Sequence, residues 1–302
     1  MKSENVKIIF GYILICLLWG STWLAIRVGL DSLTPIFSAG FRFIIAAALF
    51  YILIKVKKVE IKTDPLAIKL YLMMGFLSFV IPFGLVYWAE QFIPSGLASI
   101  LFGFFPFATI LFSRFLIKGD QIDIYQVAAV ILGFIGLIVI FSENLSIELD
   151  NSFFGMLAVL GSAFLQGFNA VMIKKYGKNL NPVSMNFFPV LIAGICMMLL
   201  SLLFEDLSRN RYDFGAFFSV TYLAVFGTLI TFSIYYWLMK RMNVVILSIS
   251  SFITPIVAVI LGWLILGEKL SLQDLFGSSL VLIGILFANL KGLKKYYLTA
   301  KK

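Results

Sequence analysis

The chain has 302 residues, 61% of them hydrophobic and 13% charged, with a mean hydropathy of +1.03. A soluble domain carries about 25% charged residues, so this chain cannot hide its apolar surface from water and belongs in a bilayer. Its net charge of +9 flanks the apolar runs without forming a patch, which excludes nucleic acid as a partner. Histidine is absent, and the two cysteines, Cys16 and Cys196, both lie inside apolar runs. These features argue against a disulfide framework, a cysteine metal site and a histidine proton shuttle.

Ten runs are long enough to cross a membrane. They cover residues 8–29, 34–54, 66–89, 94–116, 122–141, 153–173, 182–204, 216–239, 244–266 and 271–290. The first follows Lys2 and Lys7 and contains Gly20-Ser21-Thr22, as a cleaved signal would. Trp23 interrupts any cleavage pattern and nine spans follow, so this run is read as a transmembrane helix. Within it, Trp19 and Thr22 share a helix face.

The second span holds Arg42, the one charge near the middle of a span. Arginine at a helix centre costs about 2.5–3.5 kcal/mol, so something compensates it. It can bind a substrate carboxylate or phosphate, or bind backbone carbonyls and hold the fold. The structural role is preferred, because Pro189 takes the matching place in the other half.

The third span ends on Tyr87, Trp88 and Glu90. Glu90 reads as a solvated helix-end charge, with cation attraction or proton coupling as the alternative. Tyr87, Trp88, Tyr236 and Trp237 read as an interfacial belt or as an aromatic wall of a substrate path.

In the fourth span, Ser95, Ser99, Phe102, Pro106, Thr109 and Ser113 fall on one helix face. The ninth span answers with Ser248, Ser251, Pro255, Ala258 and Gly262. Small residues also serve close helix packing in membranes. The proline in each span favours a path in which carbonyls freed by a kink face a substrate. In the sixth span, Gln166 and Asn169 share a face. An amide in hydrocarbon needs a partner, so both should face a wet cavity or a neighbouring helix.

The chain repeats itself. Gly20, Arg27 and Pro35 return as Gly167, Lys174 and Pro182 at an offset of 147. Tyr87-Trp88, Ser99 and Pro106 return as Tyr236-Trp237, Ser248 and Pro255 at 149, and Gly119-Asp120 as Gly267-Glu268 at 148. Each half holds five spans, and an odd number forces the halves to insert in opposite orientations. Matching Pro-interrupted spans in inverted halves point to a transporter's binding site between them.

Orientation follows from Lys and Arg. If the N-terminus is cytoplasmic, nineteen of the 24 lie on inside segments and four outside, with Arg42 mid-span. That bias predicts cytoplasmic termini in a cytoplasmic, multi-pass membrane protein.

The chain resembles the ten-helix, EamA-type members of the drug/metabolite transporter superfamily. The resemblance rests on LLWGSTWLAIRVGL at 17–30, Phe41-Arg42-Phe43, GLASILFGFFPF at 96–107 and LGEKLSLQDLFGSSLVLIG at 266–284. It implies an all-α membrane fold of two inverted five-helix repeats, divided as 1–146 and 147–302, around a central cavity. It also implies export of small metabolites such as amino acids or their analogues.

No metal or cofactor is expected, and a small-molecule substrate and the bilayer are the expected partners. The oligomeric state is left open, a monomer being one expectation. A nucleotide-sugar or lipid-linked carrier is the alternative, but it would need more basic residues in the cavity than Arg42. An integral-membrane enzyme lacks its clustered acidic ligands and its histidine here. The candidate substrate-binding residues are Trp19, Thr22, Arg42, Trp88, Ser99, Phe102, Pro106, Gln166, Asn169, Trp237, Ser248, Ser251 and Pro255.

Overall fold

A computed structural model describes residues 2–117, 123–144, 150–177, 180–239, 241–242 and 244–300. Gly119-Asp120, Lys118, Lys178, Lys240 and the 146/147 boundary lie outside the described residues, as does the side chain of Tyr236.

Among the described residues, ten helices are long and apolar enough to cross a membrane. They are α1 (Glu4–Leu30), α2 (Pro35–Lys57), α3 (Pro65–Ala89), α4 (Ser95–Leu116) and α5 (Ile124–Ser142) in the first half. The second half supplies α6 (Asn151–Tyr176), α7 (Pro182–Phe204), α8 (Phe214–Met239), α9 (Ile246–Leu266) and α10 (Leu272–Gly292). Their starts are written locally. Asp64, Asp150 and Asp213 accept from the main-chain nitrogens of Ala67, Phe153 and Ala216, and Pro35, Pro65 and Pro182 sit in first turns. With an even number of spans, both termini lie at one end of the bundle; the opposite end is called the far end.

Packing follows the repeat. The equivalent helices α2 and α7 pack on each other, and so do α5 and α10. The α1–α9 contact is matched by α6–α4, and α1–α8 by α6–α3. This is what a two-fold relation between inverted repeats requires.

Two glycines show the relation at atomic detail. A methyl at Gly20 would lie 2.5 Å from Val257 of α9, and one at Gly167 would lie 2.7 Å from Ala108 of α4. Gly20 and Gly167 are repeat partners, and so are Ala108 and Val257. Both crossings need the missing side chain for backbones to approach this closely.

The repeat also duplicates a defect. Gly75–Val80 in α3 and Val225–Ile230 in α8 are π-helical, at an offset of 150. Widening a helix to i→i+5 bonding loosens nearby carbonyls, and such segments occur frequently at functional sites. In α8, hydroxyls take up the slack across five residues. Thr228 donates to the Leu223 carbonyl at 2.9 Å, and Thr231 donates to that of Phe226.

The prolines behave differently from a matched pair of kinks. Helix α4 breaks at Gly103-Phe104, and Pro106 sits in the first turn of the segment that restarts at Phe105. Pro255 lies inside a continuous helical stretch from Ser250 to Leu266, and the break in α9 comes earlier, at Ile249. A first-turn proline removes no helical hydrogen bond. Of the two, only Pro255 interrupts a ladder.

Candidate functional site

The two π segments face the opposite repeat. Thr228 of α8 accepts from Arg42 of α2, with Nη2 at 3.2 Å and Nε at 3.4 Å. Arg42 Nη1 donates to the Tyr87 hydroxyl of α3 at 3.3 Å. Its guanidinium carbon lies 5.3 Å from the Phe43 ring centroid and 5.2 Å from that of Phe83. At 4% exposure, the cation is compensated by two hydroxyls and two aromatic faces.

On the α3 side, Ser78 takes the place that Thr228 takes in α8. The Gln166 amide of α6 donates to the Ser78 carbonyl at 2.8 Å, and the Asn169 amide donates to the Ser78 hydroxyl. The equivalents of Gln166 and Asn169 in α1 are Trp19 and Thr22. Trp19 rests against Phe232 and Tyr235 of α8, with centroids 5.8 and 5.3 Å away. Thr22 donates to the Trp19 carbonyl at 2.7 Å. Its methyl abuts Gly227, where an added side chain would meet Thr22 at 2.7 Å and Arg42 Nη2 at 3.5 Å. Thr22, Arg42, Gln166 and Asn169 therefore converge on the twin π segments, and Trp19 packs just beyond the one in α8.

Among the described residues, the buried polar atoms without a partner include Asn169 Oδ1, the Ser99 hydroxyl and both carboxyl oxygens of Glu90. Glu90 is 0% exposed, which corrects its reading as a solvated helix-end charge. The sequence gives no sign of this, because it follows from what covers the end of α3.

The chain matches the EamA-like transporter family over residues 6–142 and again over 153–290. It belongs to that family. The uncharacterized transporter YoaV of Bacillus subtilis is 26% identical, covering 93% of this chain and 96% of its own length. The uncharacterized inner membrane transporter YedA of Escherichia coli K12 is 28% identical, covering 100% and 96%. PagO of Salmonella typhimurium is 25% identical, covering 94% and 93%. A crystal structure with 18% identity superposes with a TM-score of 0.67 over 96% of this chain and 98% of the other, which supports the fold.

In this EamA-like transporter the remaining candidates lie apart from the π segments. Trp88 is 38% exposed and packs on Phe92, with centroids 5.1 Å apart. Trp237 sits beneath Arg241, 4.7 Å from ring to guanidinium, beside the small core around Ile15 and Leu247. The two tryptophans of the shared motif thus have different environments. Ser248 donates to Asn289 Oδ1 at 2.6 Å, and Ser251 donates to the Ser248 carbonyl at 2.7 Å. Phe102 lies 5.4 Å from Trp23 and stacks on Phe105. The α4 stripe is divided by the break at Gly103, and Thr109 bonds back to the Phe105 carbonyl at 2.9 Å.

Two carboxylates organise the far end of the transporter: Glu205, which the sequence reading did not name, and Glu268, which it named as a repeat position without a role. Glu205, at the end of α7, accepts from the nitrogens of Ile36 and Phe37 at 2.7 and 2.8 Å and from the Thr34 hydroxyl at 2.9 Å. Glu268, after α9, accepts from the nitrogens of Ser95 and Gly96 at 2.9 and 3.1 Å and from the Ser95 hydroxyl at 3.1 Å. Each second-half carboxylate caps a first-half helix at its positive end. Gly-Glu after an apolar run, opposite a Pro-Ser-Gly helix start, was the available signal.

Proposed function

We propose that this EamA-like transporter moves a small organic solute, an amino acid or an analogue, outward by alternating access. The observation that carries the reading is the pair of π segments at one repeat position, each held by a polar side chain of the other repeat. Inverted repeats place a solute site between them, and broken or irregular helices supply its polar groups. The buried Arg42 guanidinium suits a carboxylate, and the unpartnered Asn169 Oδ1 suits an ammonium. The Lys and Arg bias supports cytoplasmic termini, which makes the far end external. On that orientation the Glu205 and Glu268 caps hold the external gate shut. The protein works as a monomer, since each chain carries both repeats. A nucleotide-sugar carrier would need further cations near Arg42.

Counterflow in proteoliposomes against a panel of amino acids, sugars and amines tests the reading. Saturable exchange of amino acids is expected, and exchange confined to sugars or amines would overturn the substrate class. Cysteines placed at Lys58, Lys178 and Lys295 should be shielded from an impermeant thiol reagent in intact cells, and one at Asn144 should label. The reverse pattern would overturn the orientation.

A further inference from the structure

Glu90 is a buried carboxyl group that the transport path described above does not use. Its side chain is enclosed just past the end of α3, and neither carboxyl oxygen has a hydrogen-bond partner. The charged and titratable groups around it are already engaged. Arg27 of α1 donates to the main-chain carbonyl of Glu90 and not to its carboxylate. Arg42 of α2 is held by Thr228 and Tyr87. Tyr87 lies one turn back on α3. Glu268, from the α9–α10 connection, is committed to Ser95 and Gly96. Helix α6 brings only Asp150, which caps its own helix, and Ser152, which donates to the Phe92 carbonyl at 3.3 Å.

An ionised carboxylate in such a place is costly, because nothing replaces its lost water. Burial first, and Glu268 second, push the Glu90 carboxyl well above the usual range, against the pull of Arg27 and Arg42.

We propose that Glu90 is a proton-binding residue whose charge state sets which way the transporter faces. In the arrangement described here it is the neutral acid, and Arg42 belongs to Thr228. Losing the proton to water leaves a carboxylate that must find a donor. Arg27 and Arg42 are the cations whose charge reaches it, and an Arg42 guanidinium that turns toward it is drawn from Thr228, which unpins the π segment of α8 from α2. One proton is released, one negative charge appears, and the guanidinium exchanges a hydroxyl partner for that charge. The sign follows from linkage. This arrangement binds the proton, so it is favoured at acidic pH and loses favour as pH rises through the raised pKa of Glu90. The inference rests on the alternating-access reading for its use, though its test needs no solute.

The test uses the full chain in lipid nanodiscs, lacking Cys16 and Cys196 and carrying a single cysteine at position 99 or 248. Infrared titration should show a protonated-carboxyl stretch that persists to near-neutral pH and is missing in Glu90→Gln. Raising the pH should change thiol labelling severalfold, in opposite directions at the two positions. Glu90→Gln should keep the acid pattern at every pH. The proposal is overturned if the band survives in Glu90→Gln, or if labelling in that variant follows pH as in the parent. It is also overturned if Glu90→Gln loses its folded yield while Glu90→Asp keeps it, because the charge would then be structural. A solute panel that shows no exchange, with band and labelling as expected, counts against the solute reading alone.

Discussion

The two repeats carry the same helical irregularity and secure it with different chemistry. In α3 the π segment is held at Ser78 by two neutral amides, Gln166 and Asn169. In α8 the matching Thr228 is held by a cation, Arg42, whose own repeat partner is Pro189. Neutral hydrogen bonds between membrane helices are worth about 0.6 kcal/mol on average and do not respond to nearby charge. A guanidinium in a low-dielectric setting does respond, strongly. One π segment is thus a fixed joint and the other a joint that a charge can release. The symmetry of the fold supplies the two joints, and the asymmetry of the sequence makes them unequal.

The largest effects should come at the crossings that bring the repeats together. Gly167→Val should abolish most of the folded yield. Its first carbon would already lie 2.9 Å from the Thr109 main-chain nitrogen, which cannot move aside. Gly20→Val should do the same, because its first carbon would lie 2.5 Å from Val257 Cβ, an atom fixed to the α9 backbone, and 3.1 Å from the Thr254 carbonyl. An intact folded yield in size-exclusion profiles for either variant would show that its crossing can widen.

Next comes Arg42→Ala. It leaves the Tyr87 hydroxyl without its donor and Thr228 with the Leu223 carbonyl alone, and should lower stability by about 1–3 kcal/mol in thermal or denaturant unfolding. Arg42→Lys keeps the charge but loses the fork that reaches both hydroxyls, and should recover only part. Full recovery with lysine would show that charge alone holds the joint.

A smaller effect is expected on the α3 side, where Asn169→Ala should cost about 0.6 kcal/mol and at most about 1.7. Its unfolding should be insensitive to Glu90→Gln, whereas that of Arg42→Ala should not be. Double-variant cycles check this, and coupling of Asn169 to Glu90 would erase the distinction between the joints.

The smallest effects belong to the prolines. Pro106→Ala should leave the unfolding temperature nearly unchanged, because a first-turn position needs no donor. Pro255→Ala restores a ladder hydrogen bond inside Ser250–Leu266 and should raise it slightly. A large fall in either would return the prolines to the role of matched hinges.

Much of the fold was open to reading. Ten spans and their five-plus-five division follow from hydropathy and from the Gly20/Gly167 register, which the Val257 and Ala108 contacts bear out. The π segments were not legible. GFLSFV and VFGTLI are ordinary apolar stretches, and an i→i+5 turn leaves no mark on period or composition. A faint signal existed in the hydroxyls at Ser78 and Thr228, whereas the slip in register from 147 to 149 falls in the connections that precede α3 and α8. Proline was legible as a residue but not as a position, since the break that turns Pro106 into a helix start lies three residues earlier. Burial at a helix end could not be read either. Trp88 and Glu90 stand two residues apart, one exposed and one enclosed, because a helix end has one face toward the surroundings and one toward its neighbours.

The caps at the far end bear on how the protein is made. The first turns of α2 and α4 emerge from the ribosome long before Glu205 and Glu268, the side chains that satisfy their amides. A nascent first half therefore enters the membrane with two helix starts unfinished and their positive ends uncovered. It can insert, but it cannot settle until the last third of the chain arrives and closes over it. The two halves, though descended from one pattern, are then not two modules that mature in turn. Maturation of the first waits on translation of the second.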